Sequence, residues 1–289
     1  MKGRGDEQRE GAAKSGEHGH LGRSDTRGPS KVPSRLVTDR MFRYLQRVNL
    51  LVQQLKAAIA ELAKRKGLHG ARVLDLGCAA GRTAFDCAAA APGSLVLGID
   101  GNLALLRLAR RAATRGEVAY GRRRIGLVYD HRRFPAVLPG RERVDFWACD
   151  AAALPFAPGR ADLVLALNLL DCVPDPVGLL HAMAAALRPG GALLLATPFD
   201  WAARATPAAH WIGGHSQRGD GRGAAEPLLL ALLSGTHDRS VPGLAVAGVG
   251  EHAWHTRLHD RSMVLYQTHL AAAYKSTSIE RDGQDVLKK

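Results

Sequence analysis

Val73-Leu74-Asp75-Leu76-Gly77-Cys78-Ala79-Ala80-Gly81-Arg82 decides the fold. An apolar run broken by one acid meets a glycine-bearing turn, and a helical pattern follows. This is how a buried strand that turns into a helix reads. Glycine lets the backbone come close to a ligand, and a helix N-terminus presents amides without partners. A dinucleotide-binding turn needs three glycines as G-x-G-x-x-G. Here alanines separate Gly77 from Gly81, so that reading fails. Asp75 offers a carboxylate to a cationic ligand end, which suits an amino acid better than a pyrophosphate.

Outward from this turn, short apolar runs alternate with helical stretches. Strands are expected at residues 72–76, 95–99, 144–149, 161–167 and 192–197. Helices are expected at about 82–91, 102–114 and 177–187. The alternation predicts a doubly wound, mostly parallel sheet covered on both faces. Two later strands, 253–258 and 263–269, flank the polar turn His259-Asp260-Arg261-Ser262. They predict an antiparallel hairpin at the sheet edge and bring the sheet to seven strands.

Acidic residues punctuate these strands. Asp100 follows Leu97-Gly98-Ile99, and Asp150 follows the third strand, ahead of Ala151. A carboxylate about 20 residues beyond the glycine turn suits two ribose hydroxyls. Asp75, Asp100 and Asp150 are expected to face the crevice where open α/β sheets bind ligands.

Composition sets the outer limits. The 289 residues are 46% hydrophobic and 23% charged, which excludes a wholly disordered chain. No apolar run is long enough for a membrane helix or reads as a secretory signal. Cys78, Cys87, Cys149 and Cys172 lack zinc or redox spacing, which suits reduced thiols in the cytoplasm. His252, His255, His259 and His269 cluster without a cysteine pair. Strand alternation puts the first two on opposite faces, so no metal site is expected. The formal net charge of +13 leaves an anionic partner open, RNA included. Arg122-Arg123-Arg124 through Arg132-Arg133, interleaved with Tyr120, Tyr129 and Phe134, is the stretch that would dock it.

Residues 1–35 are rich in Gly, Ser and charge and read as a disordered basic tail. Met41, Leu45, Val48, Val52, Leu55, Ile59 and Leu62 fall on one helix face, so 36–70 reads as a helical cap. Such a stripe also permits a weak homodimer beside the monomer. The main domain is expected at 71–272, and 273–289 reads as a second disordered tail.

With these motifs in hand, the chain resembles the class I S-adenosylmethionine-dependent methyltransferases over about residues 36–272. The resemblance rests on residues 73–81, 98–100, 150–156, 168–176 and 187–197, in the family's order and spacing. It implies S-adenosylmethionine as cofactor. Asp75, Gly77, Ala79 and Gly81 would surround its methionine part, Asp100 its ribose, and Asp150 with Ala151 its adenine. Asn168 would lie beside both the methionine part and the substrate. Ala79 stands where many members carry a middle glycine. More narrowly, Thr38-Asp39, Tyr44-Leu45, Gly77–Arg82, Asn168-Leu169-Leu170-Asp171, Thr197-Pro198-Phe199-Asp200-Trp201, Thr206-Pro207 and Trp211-Ile212-Gly213-Gly214 are similar to the methyltransferase domain of ovothiol biosynthesis. That domain methylates a ring nitrogen of a mercaptohistidine. Residues 122–133 and 215–227 depart from its pattern.

The resemblance implies a small polar metabolite as acceptor. Asp171 would orient an imidazole N–H or act as base. Asp200, Trp201 and Trp211 would meet the substrate, with His210 near them, and Arg257 would receive a carboxylate. An RNA or protein methyltransferase, or a silent cofactor-binding subunit, are the alternatives.

Overall fold

The computed structural model describes residues 70–277, the side chain of Asp220 excepted. The 1–35 tail, the 36–70 cap and most of the 273–289 tail lie outside the described residues.

The chain runs through β1 (Arg72–Leu76), α1 (Arg82–Ala90), β2 (Leu95–Asp100), α2 (Leu103–Arg115), β3 (Glu117–Ile125), β4 (Val128–Pro135), β5 (Val144–Ala148) and β6 (Ala161–Leu167). It continues through α3 (Pro176–Ala186), β7 (Leu187–Thr197), α4 (Ala225–Ser234), β8 (Leu244–His259) and β9 (Ser262–Lys275). Seven strands form one sheet in the order β5-β2-β1-β6-β7-β9-β8, and β3 pairs with β4 apart from it. Neighbours from β5 to β7 are parallel, and β9 is antiparallel to both β7 and β8. The order reverses between β1 and β6, so a crevice opens above their carboxyl ends.

Local chemistry sets the element ends. The Asn102 side chain accepts N–H bonds from Ala104 at 3.0 Å and Leu105 at 3.3 Å, which starts α2. Asp175 does the same for Gly178 at 3.1 Å, with Pro176 opening α3. One sheet face packs Val73, Val96, Leu163 and Leu165 against Phe85, Ala88 and Leu106 of α1 and α2. The other packs Val164, Leu193 and Leu195 against Leu180, Met183 and Leu229 of α3 and α4.

Three features depart from, or add to, the expectations. Among the described residues the sheet is not covered by helices on both faces throughout. No helix joins β5 to β6, so Leu95 and Trp147 stay 61% and 46% exposed. A groove of about 430 Å³ runs there, lined by Leu74, Leu97, Trp147 and Phe156. The arginine-rich segment is a hairpin, because β3 and β4 pair along their length with Tyr120 opposite Arg132 and Arg122 opposite Asp130. The last strand, expected at 263–269, spans Ser262–Lys275, and the Lys275 ammonium donates to the carbonyls of Ala184 and Leu187.

Candidate active site

The turn after β1 is pinned before any ligand enters. The Gly77 and Cys78 amides both donate to the Ile99 carbonyl, at 2.8 and 3.0 Å. Gly77 and Gly81 take positive φ, and so does Ala79, at 49°. For a residue with a Cβ that conformation is uncommon. The Ala79 amide donates to Asp100 Oδ2 at 2.8 Å, which holds it there. Packing is a second reason for the glycines. A Cβ on Gly81 would lie 2.4 Å from Phe146 Cζ, and one on Gly77 would lie 2.8 Å from Leu169 Cδ1. Gly98 meets the same Phe146 ring, a role its place in the sequence did not disclose.

The three strand-end acids differ from one another. Asp75 does not stand at the mouth of the crevice. It lies within β1, opposite Gly98 and Leu165, and is 1% exposed. Its Oδ2 is buried without a partner. Burial first, then the charge of Asp100, pushes its pKa up to about 8. Asp100 closes β2, and its two oxygens accept the Ala79 and Asn102 amides at 2.8 and 2.7 Å. Burial raises its pKa against those hydrogen bonds. Asp150 follows β5 by two residues and accepts the Ala152 amide at 2.9 Å, with Ala151 buried beside it.

The opposite wall is built by the loops after β6 and β7. Asn168 also has positive φ, at 54°, and its amide donates to Ala196 at the end of β7. Its Oδ1 is buried and unpartnered. Asp171 is 2% exposed, and its Oδ2 accepts the Asp200 amide at 2.8 Å. That is a loop-holding arrangement; the Asp200 side chain itself is exposed. Burial raises the Asp171 pKa. Thr206 donates to Val173 at 2.7 Å, and His210 Nδ1 meets the Pro174 carbonyl at 2.8 Å. Trp211 donates to Thr206 at 2.8 Å and stacks on Trp201 with centroids 5.9 Å apart at 12°. Trp201 Nε1 is buried without a partner. Phe199 links this pair to His269, at 6.4 Å from Trp201 and 6.1 Å from His269. Phe199, His269 and Glu251 were missed as a group; the strand register that puts His269 opposite Thr197 was the signal.

Two hairpins meet at their tips. Tyr120 of β3 packs with Ala80 of the turn and with Leu105 and Leu108 of α2. Two residues on, Arg122 Nη2 lies 2.5 Å from Asp260 Oδ1, and the Asp260 amide donates to the Arg124 carbonyl at 3.1 Å. Arg257 is 3.8 Å from the same carboxylate, so its cation is turned to the hairpin tip. Arg133 pairs with Glu117 at 2.7 Å and Arg124 with Asp130 at 3.8 Å. Much of the basic stretch is therefore neutralised within the fold. Among the described residues no group of three or more His, Cys, Asp or Glu is arranged to hold a metal. No helix among them is long and apolar enough to cross a membrane. No disulfide joins the four cysteines; Cys78 and Cys87 are buried and Cys172 is exposed.

A sheet of this order, with a glycine turn after its first strand and a carboxylate closing its second, defines a class I S-adenosylmethionine-dependent methyltransferase. Residues 41–223 match the family described as a methyltransferase domain, and the chain belongs to that family. It is 31% identical over 134 residues to a ubiquinone biosynthesis O-methyltransferase of Pseudomonas aeruginosa, covering 46% of this chain and 47% of that protein. The Xanthomonas campestris protein of the same name is 32% identical over 136 residues, 47% of this chain and 46% of its own. The chain thus spans about half the length of these relatives. Among solved structures, a putative methyltransferase from Bacillus halodurans superposes with a TM-score of 0.49 at 16% identity, over 76% of this chain and all of that one. Magnesium protoporphyrin IX methyltransferase from Synechocystis, with S-adenosylmethionine bound, gives 0.47 at 18%, over 86% of this chain and all of its own. The residues present fit that cofactor. An orphaned buried carboxyl at Asp75 suits an ammonium group, and the Asp100 oxygens retain lone pairs for hydroxyls.

Proposed function

We propose that this chain transfers a methyl group from S-adenosylmethionine to a ring nitrogen of a small, polar, amino-acid-derived metabolite of the thiol-imidazole kind. The observation that carries this reading is the wall at the carboxyl ends of β6 and β7, with the His269 segment of the antiparallel β9 beside them. Stacked Trp201 and Trp211 adjoin Phe199, and Asn168 Oδ1, Trp201 Nε1 and His269 Nε2 are three buried polar atoms without partners. Flat rings cover a flat acceptor, and orphaned polar atoms select one that can hydrogen-bond.

In this reading Gly77, Ala79, Gly81 and Asp75 bracket the methionine part of the cofactor. Asp100 takes the ribose hydroxyls, and Asp150 with Ala151 meets the adenine. The bound cofactor supplies an electrophilic sulfonium methyl group. The protein positions the acceptor in line with it, and a neutral imidazole nitrogen has its lone pair available near pH 7. Asn168 orients the acceptor. Asp171 holds the Asp200 segment so that Trp201 faces the crevice, which makes it a positioning residue. The similarity to proteins named as O-methyltransferases supports a hydroxyl acceptor as the second reading.

Methyl-labelled S-adenosylmethionine, incubated with the protein and a cell extract split into small-molecule, RNA and protein pools, tests the proposal. Label in the small-molecule pool, on nitrogen, is the expected result. Label on oxygen favours the second reading, and label confined to RNA or protein overturns both.

A further inference from the structure

We infer that His269, held by Glu251, is the general base that takes the proton released by the methyl acceptor. The inference rests on the methyl-transfer reading above and adds a catalytic residue to it.

His269 stands opposite Thr197 in the β7–β9 ladder, at the carboxyl edge of the sheet. One strand over, Asn168 is tied by its amide to Ala196. His269 is only 8% exposed, and the Phe199 ring lies 6.1 Å from it. Opposite it in the β8–β9 ladder is Glu251, whose Oε1 is 2.6 Å from His269 Nδ1. A carboxylate at that distance fixes the proton on Nδ1 and leaves the lone pair on Nε2. Nε2 is buried and has no partner. Most buried polar atoms in folded proteins are hydrogen-bonded. This imidazole is bonded at one nitrogen and open at the other, and the Phe199 ring beside it also adjoins Trp201.

The other histidines differ. His252 also has a buried, unpartnered Nε2, but it lies on the opposite face of β8 with no carboxylate on its ring. His237 meets Asp238 at 2.6 Å, where Asp238 is 83% exposed.

The chemistry balances. The acceptor ring nitrogen forms the new N–CH3 bond as the S–CH3 bond breaks, and that electron pair stays on sulfur. The ring becomes cationic and passes its remaining N–H proton to His269 Nε2. Glu251 neutralises the imidazolium, and its half-exposed side chain leads the proton to solvent.

The test uses the full chain and the wild-type labelling assay, with His269→Gln, Glu251→Gln and His269→Gly. S-adenosylhomocysteine affinity, by calorimetry, reports folding and the cofactor site independently of turnover. Expected are an affinity within about twofold of wild type and a loss of kcat of about a hundredfold in His269→Gln, with a smaller loss in Glu251→Gln. Added imidazole should restore about tenfold of the lost rate in His269→Gly. Turnover of His269→Gln within threefold of wild type overturns the inference alone. So does a parallel loss of turnover and S-adenosylhomocysteine affinity without imidazole rescue, which marks a structural role. Absence of label from every wild-type pool sinks the methyl-transfer reading, and this inference with it.

Discussion

The Asp171 carboxylate accepts the Asp200 backbone N–H at 2.8 Å and so ties the loop after β6 to the loop after β7. Both loops carry residues of the proposed acceptor wall, and the bond joins the Asn168 loop to the Trp201 loop. Replacing the acid by alanine removes this part-buried hydrogen bond, at a cost of about 0.5–1.5 kcal/mol. Asp171→Asn keeps an acceptor oxygen and is the milder change. Both variants are expected to lower methyl transfer more than they lower cofactor affinity. Steady-state labelling beside calorimetry checks this; equal losses would place Asp171 at the cofactor.

Asp75 makes the ligand-free protein sensitive to pH. Its folded pKa of about 8 lies above the ordinary 3.8, so the folded chain holds a proton that the unfolded chain has lost across that interval. Stability is full below the lower value and falls as pH rises, with a limiting slope of about 1.4 kcal/mol per unit. The gap in thermal midpoint between Asp75→Asn and wild type should therefore widen, in favour of the variant, from pH 5 to pH 8. A cationic amino group bound nearby favours the carboxylate. S-adenosylhomocysteine binding at pH 7 should then release a proton, seen as unequal heats in phosphate and Tris buffers. Equal heats would remove the ammonium from Asp75.

Asp100 holds the Ala79 amide, and the proposed reading gives it the ribose hydroxyls as well. Asp100→Ala is expected to weaken S-adenosylhomocysteine binding by about 1–3 kcal/mol through lost charge-assisted hydrogen bonds. Unchanged affinity in a folded variant would refute the assignment.

Gly81 is confined by both conformation and space, at φ 80° and 2.4 Å from Phe146 Cζ. Left-handed strain and overpacking together should make Gly81→Ala cost about 2–4 kcal/mol. Adding Phe146→Leu relieves the contact but not the strain. Urea midpoints should show partial recovery in the double variant, and full additivity would deny the contact.

The clasp between the hairpins is a partly exposed pair, with Arg122 22% and Asp260 29% accessible. A double-mutant cycle with Arg122→Gln and Asp260→Asn should give a coupling of at most about 1 kcal/mol, shrinking in 1 M salt. A larger, salt-resistant coupling would mean the tips are locked rather than latched.

Much of this architecture was legible along the chain. β1 and β6 have the predicted bounds because buried parallel strands are unbroken apolar runs between turns. The glycine turn announces itself through residue types that few other backbone conformations require. The β3–β4 hairpin escaped notice because charge dominates its pattern and its Gly126-Leu127 tip is a weak turn signal. Arg257, which the resemblance places as a carboxylate receptor, lies 3.8 Å from Asp260, a contact the sequence did not announce.

Sequence alone determined the alternation of strands and helices, the turn between β1 and α1, and the acid that closes β2. Each depends on residues adjacent in the chain, where periodicity and backbone preference act. Only the tertiary structure decided that Asp75 is sealed inside its strand, that Asp171 holds Asp200, that Phe146 occupies the space of two absent side chains, and that Glu251 meets His269. Those relationships depend on which residues the sheet register sets side by side and on how much water remains between them. Burial and proximity arise from the whole packed chain, so no local stretch of it encodes them.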